Sequence, residues 1–317
     1  MEVKFDENDR HIVSLNISVE KGTIKKPVER VELYEEGIKG DAHSGKWHRQ
    51  VSMLAQEDVD NFSVTDADDR GFAPGEFAEN ITTKGIDYKK VAVLDRFKIG
   101  GTEMEVTQIG KKCHGDGCAI YVEVGKCVMP KSGIFTRVIK GGEIKNDDKI
   151  EYVPRPLKVK VITLSDRANS GEYKDLSGPT VNNFLINHYQ NKRWHLELNG
   201  EIIPDEKERL LELLNKAKDD NYDIVITTGG TGIGPRDITP DVVADYSDKL
   251  VPGIMEHIRI KYGQEIPNAL ISRAVVGVKD KMIIYTLPGS VKAVKEYMTE
   301  ILKTMEHMIL MVHGLGH

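Results

Sequence analysis

Apolar and polar residues alternate over short runs in the first half of the chain, at His11 to Val19, Val91 to Asp95 and Met104 to Gln108. A period of two puts successive side chains on opposite faces, so each run is expected to be a half-buried strand. Glycine-bearing turns separate the runs, as in Asp95 to Gly101 and Gly141-Gly142. This predicts a β-barrel-like or compact sheet of antiparallel strands. Val59 to Asp69 is polar and reads as a loop or short helix. The period changes in the second half. Val159 to Leu164 is an apolar run suited to a strand buried on both faces. A Ser/Asp/Gly loop and a helix near Pro179 to His188 are expected after it. Within Asp205 to Asp219, residues Leu210, Leu211, Leu213, Leu214 and Ala217 form a helical stripe. Asp223 to Thr228 and Met282 to Leu287 again read as strands. From Val291 onward, Val294, Tyr297, Met298, Ile301, Leu302 and Met305 recur at helical spacing. Strands alternating with helices predict a parallel α/β sheet with its ligand site beyond the strand C-termini.

The change of period falls at Val153-Pro154-Arg155-Pro156. Two prolines remove two backbone donors and favour extended conformation, which suits a short stiff linker. The chain of 317 residues is therefore expected to form two domains, 1–153 and 157–317. Composition narrows the partners. A net charge of -6 gives no support to a nucleic-acid-binding face. No run reaches the roughly 18 apolar residues that a membrane span needs. The start, MEVKFDENDR, lacks the apolar region of a signal peptide. Cys113, Cys118 and Cys127 are the only cysteines. An odd thiol count without a secretory signal fits a reducing cytoplasm better than a disulfide framework.

The most informative segment runs from Thr227 to Asp241, TTGGTGIGPRDITPD, directly after the strand expected at Asp223 to Thr228. Gly229, Gly230 and Gly232 allow close approach of the backbone to a ligand and positive φ. Successive amides, with the hydroxyls of Thr228 and Thr231, suit the cradling of phosphate oxygens. Arg236 offers a charged fork. Thr239 is expected to cap a helix whose first turn contains Pro240. Asp237 lies just past the glycines, and Asp205 follows Ile202-Ile203-Pro204. Two carboxylates beside a phosphate cradle suit Mg²⁺, which takes a few carboxylates together with nucleotide phosphates. Each residue also has a plainer reading: the glycines as an ordinary turn, Asp205 as a helix N-cap, Asp237 as a turn residue.

Taken in order, several motifs resemble the Mog-type molybdopterin adenylyltransferase domain of the molybdopterin-binding family. They are Thr163-Leu164-Ser165-Asp166-Arg167, Ser177-Gly178-Pro179, Ile203-Pro204-Asp205-Glu206, Thr228 to Asp241, Pro252-Gly253, Leu270-Ile271-Ser272-Arg273 and Leu287-Pro288-Gly289. The resemblance covers essentially residues 157 to 317. It implies a three-layer α/β fold, a homotrimer, and reaction of molybdopterin with Mg-ATP to give adenylylated molybdopterin and pyrophosphate. It puts Asp205 and Asp237 at the family's essential acidic positions, catalytic and metal-directed. Ser165, Asp166, Ser177 and Gly178 become candidate substrate or nucleotide contacts, together with Thr228, Thr231, Arg236, Thr239 and the glycines. Ser272, Pro288 and Gly289 line the same site by the same resemblance. Gly289-Ser290-Val291-Lys292 departs from the family, which usually has a proline before the lysine. The partners implied are a molybdate-insertion protein and a molybdo- or tungsto-enzyme acceptor.

The first half resembles the MOSC domain over roughly residues 10 to 153. The resemblance rests on Gly37 to His43, Arg49 to Leu54, Gly75 to Ile81, Leu94 to Phe97, Val106 to Gln108 and Cys113. It implies a β-barrel-like fold that binds molybdenum cofactor or handles sulfur, with Cys113 at the characteristic cysteine. Lys112 stands where a proline is usual, and Cys118 and Cys127 are additional. Read from chemistry alone, the thiols suit inert packing, metal binding or a reactive thiolate favoured by Lys111, Lys112 and His114. His43 and His48 are candidate ligands with surface roles as the alternative. The tail His313 to His317 reads as flexible. Two rival functions stay open: a molybdopterin carrier without turnover, and an unrelated nucleotide-binding enzyme resting on the glycine loop alone.

Overall fold

The computed structural model describes residues 4–64, 71–111 and 127–315. The chain divides into two compact units, Met1–Arg155 and Pro156–His317. The first contains β1 (His11–Ile17), β2 (Lys26–Val28), β3 (Arg30–Tyr34), β4 (Gly37–Ile38) and β5 (Val51–Ala55). Then come α1 (Gln56–Val64), β6 (Ile81–Lys84), β7 (Arg96–Ile99), β8 (Thr102–Ile109) and the one-turn α2 (Met129–Ser132). Strands β9 (Ile134–Lys140), β10 (Gly142–Lys145) and β11 (Ile150–Val153) complete it. Eight strands form one sheet in the order β11-β7-β8-β9-β5-β6-β1-β2, and β10-β3-β4 form a second. An isolated bridge between His11 and Lys149 ties the start of β1 to the chain just before β11.

The alternation has the expected consequence in β3, where Val31 and Leu33 are buried and their neighbours exposed. β5 is buried at every position because it lies between β6 and β9. Its pairing with β6 is parallel, so the sheet is mixed rather than wholly antiparallel. Val91 to Asp95 is a turn, not the expected strand. Leu94 has φ +75°. The buried Asp95 carboxylate accepts the Ala92 amide at 2.7 Å and the Tyr152 hydroxyl at 2.6 Å. A side chain that bonds its own backbone competes with a strand ladder.

The second unit begins with β12 (Pro156–Leu164), α3 (Asp166–Asn169), α4 (Ser177–Tyr189), β13 (His195–Ile203) and α5 (Lys207–Asp219). β14 (Ile224–Thr228), α6 (Thr239–Tyr246), β15 (Lys249–Leu250) and α7 (Pro252–Gly263) follow. After a 3₁₀ turn at Pro267–Ile271 come β16 (Val276–Lys279), β17 (Met282–Leu287), α8 (Val291–Ile301) and α9 (Met305–Val312). The sheet order is β13-β12-β14-β17-β16-β15. The first four strands are parallel, and β16 and β15 are antiparallel additions. The cause is a hairpin that the sequence reading did not anticipate. Lys279 pairs with Met282 across Asp280-Lys281, and Asp280 takes φ +53°. The predicted stripe on α5 is real, with Leu210, Leu213, Leu214 and Ala217 buried against the sheet. Fully burying each such leucine contributes about 1.5–3 kcal/mol.

One buried carboxylate fastens α7 to α8. Glu300, its side chain 4% exposed, receives Lys261 Nζ at 2.7 Å, Lys303 Nζ at 2.8 Å and His257 Nε2 at 3.1 Å. Burial alone would push this carboxyl up. The surrounding donors outweigh it and hold the group at about 2. A folded pKa below the ordinary value stabilises above that ordinary value, and the contribution is lost as pH falls towards 2. Glu300→Gln should therefore melt below the parent protein at pH 6, with the gap closing between about pH 4.5 and 2. A gap that stays constant over that range in thermal unfolding would refute the assignment.

Candidate functional site

The site follows from strand register. Leu164 pairs with Ile203, Thr163 with Thr228, and Thr228 with Leu287. Parallel neighbours end side by side, so the segments after β13, β12, β14 and β17 emerge along one rim. Asp205, Ser165-Asp166, Gly229-Gly230 and Pro288-Gly289 occupy that rim in this order. The chain passes from β12 outward to β13 and then returns across β12 to β14. The direction of winding therefore reverses between β12 and β14, where open α/β sheets take their ligands.

The rim is tightly joined. The Ser165 amide donates to Ile203 O and the Gly229 amide to Leu287 O, both at 2.9 Å. Gly229 has φ +100°, and a Cβ there would collide with the Leu164 carbonyl. Gly230 has φ +61°, with Thr239 Oγ1 on the side where a Cβ would lie. At Gly232 a Cβ would come within 2.7 Å of Asp237 Oδ2. The glycines thus leave room for the strand end, for Thr239 and for Asp237.

Asp205 does not cap its own helix. The Glu206 side chain does not cap α5 either, although Glu206 occupies the N-cap position. Instead the Asp166 amide donates to Asp205 Oδ2 at 3.1 Å, and the Asp205 amide donates to Asp166 Oδ1 at 3.0 Å. Arg236 grips Asp166 with Nη2 at 2.6 Å from both carboxylate oxygens and Nε at 3.2 Å from Oδ2. That fork holds the Asp166 carboxyl below its ordinary range. Asp205 is shifted the other way, first by burial and then by the charges of Asp166 and Asp237. Asp237 Oδ2 accepts the Gly234 amide at 2.8 Å, which folds the carboxylate back over its loop. Thr239 is also not the expected cap. It is the first residue of α6, and its buried hydroxyl donates to Gly229 O at 3.0 Å.

A second network supports the rim from below. Ser177 Oγ lies 2.9 Å from Thr228 Oγ1. Asp175 Oδ1 accepts the Ser177 amide and hydroxyl at 2.8 Å each, and its Oδ2 accepts Thr163 Oγ1 at 2.8 Å. The Gly178 amide is 3.3 Å from both Asp175 oxygens. Asp175 was absent from the candidates, although its place two residues before a serine at a helix start is an Asx-turn spacing. Ser165 caps α3 by accepting the Ala168 amide at 3.2 Å. On the other side of the glycine loop lies a cavity of about 530 Å³ lined by Thr231, Gly232, Ser272, Pro288, Lys292 and Tyr297, among others. Tyr297 donates to Ser272 Oγ at 2.9 Å. The volume is in the range of small-molecule sites. Gly289 is exposed, and a Cβ there would lie 3.4 Å from Gly229 Cα.

The first unit holds a separate, smaller cavity of about 70 Å³, lined by His43, Arg49, Ser52, Asn80, Lys111 and Met129, among others. Nearby, Lys25 and Asp41 form a buried ion pair at 2.5 Å. Burial and the Lys25 charge lower the His43 pKa. Cys113 and Cys118 lie outside the described residues. Cys127 is partly buried and packs against a cluster that includes Val128, Met129 and Phe135.

Two family models match the chain. The model described as "Probable molybdopterin binding domain" covers residues 160–307, and the MOSC domain model covers residues 40–151. The molybdopterin adenylyltransferase of Helicobacter pylori (strain J99) is 33% identical over 159 residues, 50% of this chain and 89% of that protein. The chain belongs to the molybdopterin-binding domain family. It carries a MOSC domain ahead of that domain. The molybdopterin adenylyltransferase of Escherichia coli (strain K12) is 34% identical over 160 residues, 50% of this chain and 80% of that protein. Gephyrin of Dictyostelium discoideum is 32% identical over 168 residues, 49% of this chain and 22% of that protein. All three matches cover about half of this chain.

The rim geometry of the molybdopterin-binding domain makes a direct prediction. Gly229→Ala forces a Cβ against the Leu164 carbonyl at a positive φ. Such strain costs on the order of 1–3 kcal/mol. The urea midpoint of the C-terminal unit should fall accordingly, and an unchanged midpoint would contradict the close approach.

Proposed function

We infer that this protein acts in molybdenum cofactor biosynthesis, with its C-terminal domain adenylylating molybdopterin at the expense of ATP. The observation that carries this reading is the convergence of Asp205 and Asp237 on the Gly229–Gly232 loop. Neither Asp205 Oδ1 nor Asp237 Oδ1 is committed to a hydrogen bond described above, so each carboxylate can present an oxygen to a cation. Among the described residues no group of three or more His, Cys, Asp or Glu converges as a metal-binding set. Two carboxylates completed by nucleotide phosphates match the way Mg²⁺ is usually held. Bound there, Mg²⁺ would neutralise charge developing on the phosphates.

In the proposed reaction an oxygen of the pterin's terminal phosphate attacks the α-phosphorus of ATP. The bond from that phosphorus to the bridging oxygen of pyrophosphate breaks, and pyrophosphate leaves with the electron pair. The loop amides and the Thr231 hydroxyl orient the phosphates, and the adjoining cavity takes a fused-ring portion of the substrates. Little covalent chemistry is asked of the protein, so alignment and fixed dipoles supply the acceleration. We further propose that the protein is a cytoplasmic homotrimer that supplies a molybdate-insertion protein and a molybdo- or tungsto-enzyme acceptor. The barrel-like MOSC unit is proposed to bind the anionic cofactor or handle its sulfur. The cationic lining of its small cavity, Arg49 and Lys111 beside His43, supports this.

Asp205→Ala and Asp237→Ala test the catalytic reading. Each should slow ATP-dependent pyrophosphate release with molybdopterin by about 100-fold or more, the loss of a few kcal/mol of transition-state stabilisation. Their thermal unfolding should stay close to that of the parent protein. Near-normal release by both variants would overturn the assignment.

A further inference from the structure

We propose that Arg273 is the positioning residue for the glycine loop, holding Asp237 in place for the adenylylation step; this rests on the function proposed above. Four of its groups reach the loop and the helix after it. Its amide donates to Thr231 O at 2.9 Å. Nε donates to Gly232 O at 2.7 Å, Nη2 to Asp237 O at 2.6 Å, and Nη1 to Asp241 Oδ1 at 2.7 Å. One residue thus spans the loop from its beginning to its end.

The loop needs such a clamp. Gly229, Gly230, Gly232 and Gly234 make its backbone costly to order. Its bonds to itself are few: the Asp237 amide to Gly234 O, the Ile238 amide to Arg236 O, and the Gly234 amide to Asp237 Oδ2. Thr239 closes its base through its amide to Gly230 O and its hydroxyl to Gly229 O. Between these points Arg273 takes three carbonyls, those of residues 231, 232 and 237. In a trans peptide the amide N–H points opposite to the carbonyl. Fixing the Thr231 carbonyl on the Arg273 amide and the Gly232 carbonyl on its guanidinium therefore aims the amides of Gly232 and Ile233 away from Arg273, as a phosphate cradle requires. Gripping Asp237 through its own carbonyl sets the height of that carboxylate. Ser272, the preceding residue, lines the large cavity and bonds Tyr297. The Ser272-Arg273 pair thus joins the cavity wall to the loop.

The chemistry demands arginine. Three nitrogens of one planar group serve three acceptors in different directions, which a single ammonium cannot span. Asp241 is exposed and contributes orientation only, since surface ion pairs are weak.

The test uses the full chain with Arg273→Ala, Arg273→Lys and Asp241→Asn. Two readouts are combined: amide hydrogen exchange over residues 229–238, which needs no substrate, and steady-state adenylylation. In Arg273→Ala the loop amides should exchange at least about tenfold faster while the sheet amides keep their protection. A displacement of about 1 Å should lower kcat by roughly 100-fold with little change in KM for ATP. Guanidinium ion should restore part of that kcat and methylammonium should not. Arg273→Lys should resemble Arg273→Ala, and Asp241→Asn should stay within about threefold of the parent. Unchanged loop exchange in Arg273→Ala overturns the proposal, as does full kcat in Arg273→Lys. If Arg273→Ala does not fold, Arg273→Lys decides by the same two readouts. If the parent chain shows no adenylylation, the exchange data still decide whether Arg273 holds the loop, so the two readings fail separately.

Discussion

Gly229 lies so close to the end of β12 that no side chain fits between it and the Leu164 carbonyl. The rest of the candidate site depends on that approach. It brings the end of β14 against the end of β12, and the parallel register places Asp205 on one flank and Pro288 on the other. A larger residue would lift the loop from the rim. Asp237 would then lose its relation to Asp205, and Thr239 its hold on Gly229 O.

The electrostatics of the rim oppose one another. The charges of Asp166 and Asp237 act on the Asp205 carboxylate, which by itself favours its protonation. Arg236 answers at Asp166 through a bidentate fork, so the unfavourable charge falls mainly on Asp205, whose pKa is raised. Under the function proposed above, a carboxylate left short of positive charge beside a run of backbone amides would receive a cation that arrives with phosphates. Arg273 acts differently, through backbone carbonyls and the exposed Asp241, and fixes shape more than charge. Glu300 is a third case. Its donors hold two helices together through a single buried carboxylate.

Much of this was legible in the sequence where one local pattern dictates one outcome. The apolar runs at Val159 to Leu164 and Met282 to Leu287, and the stripe on α5, lie where periodicity put them. Ordered motifs marked the rim segments. Roles set by tertiary contacts were less legible. Asp205 and Thr239 have the residue types of helix caps, yet their side chains bond across to Asp166 and Gly229. Asp175 was missed because its partners, Thr163 and Ser177, converge only when α4 packs beneath the rim. Arg273 was visible inside a motif, but its clamp needs residues about forty positions upstream in the chain. The β16–β17 hairpin went unseen because Asp280-Lys281 is not a usual glycine-bearing turn.

In the proposed reaction, phosphates and pterin meet at this rim and an adenylyl group passes between them. The most direct measurement is mass analysis of the pterin after incubation of the full chain with molybdopterin, Mg²⁺ and ATP carrying ¹⁸O at the α-phosphate. The expected product is a pterin heavier by one adenylyl group that retains the label, with pyrophosphate formed one for one. Formation of ADP, or consumption of ATP with no change in the mass of the pterin, would contradict it.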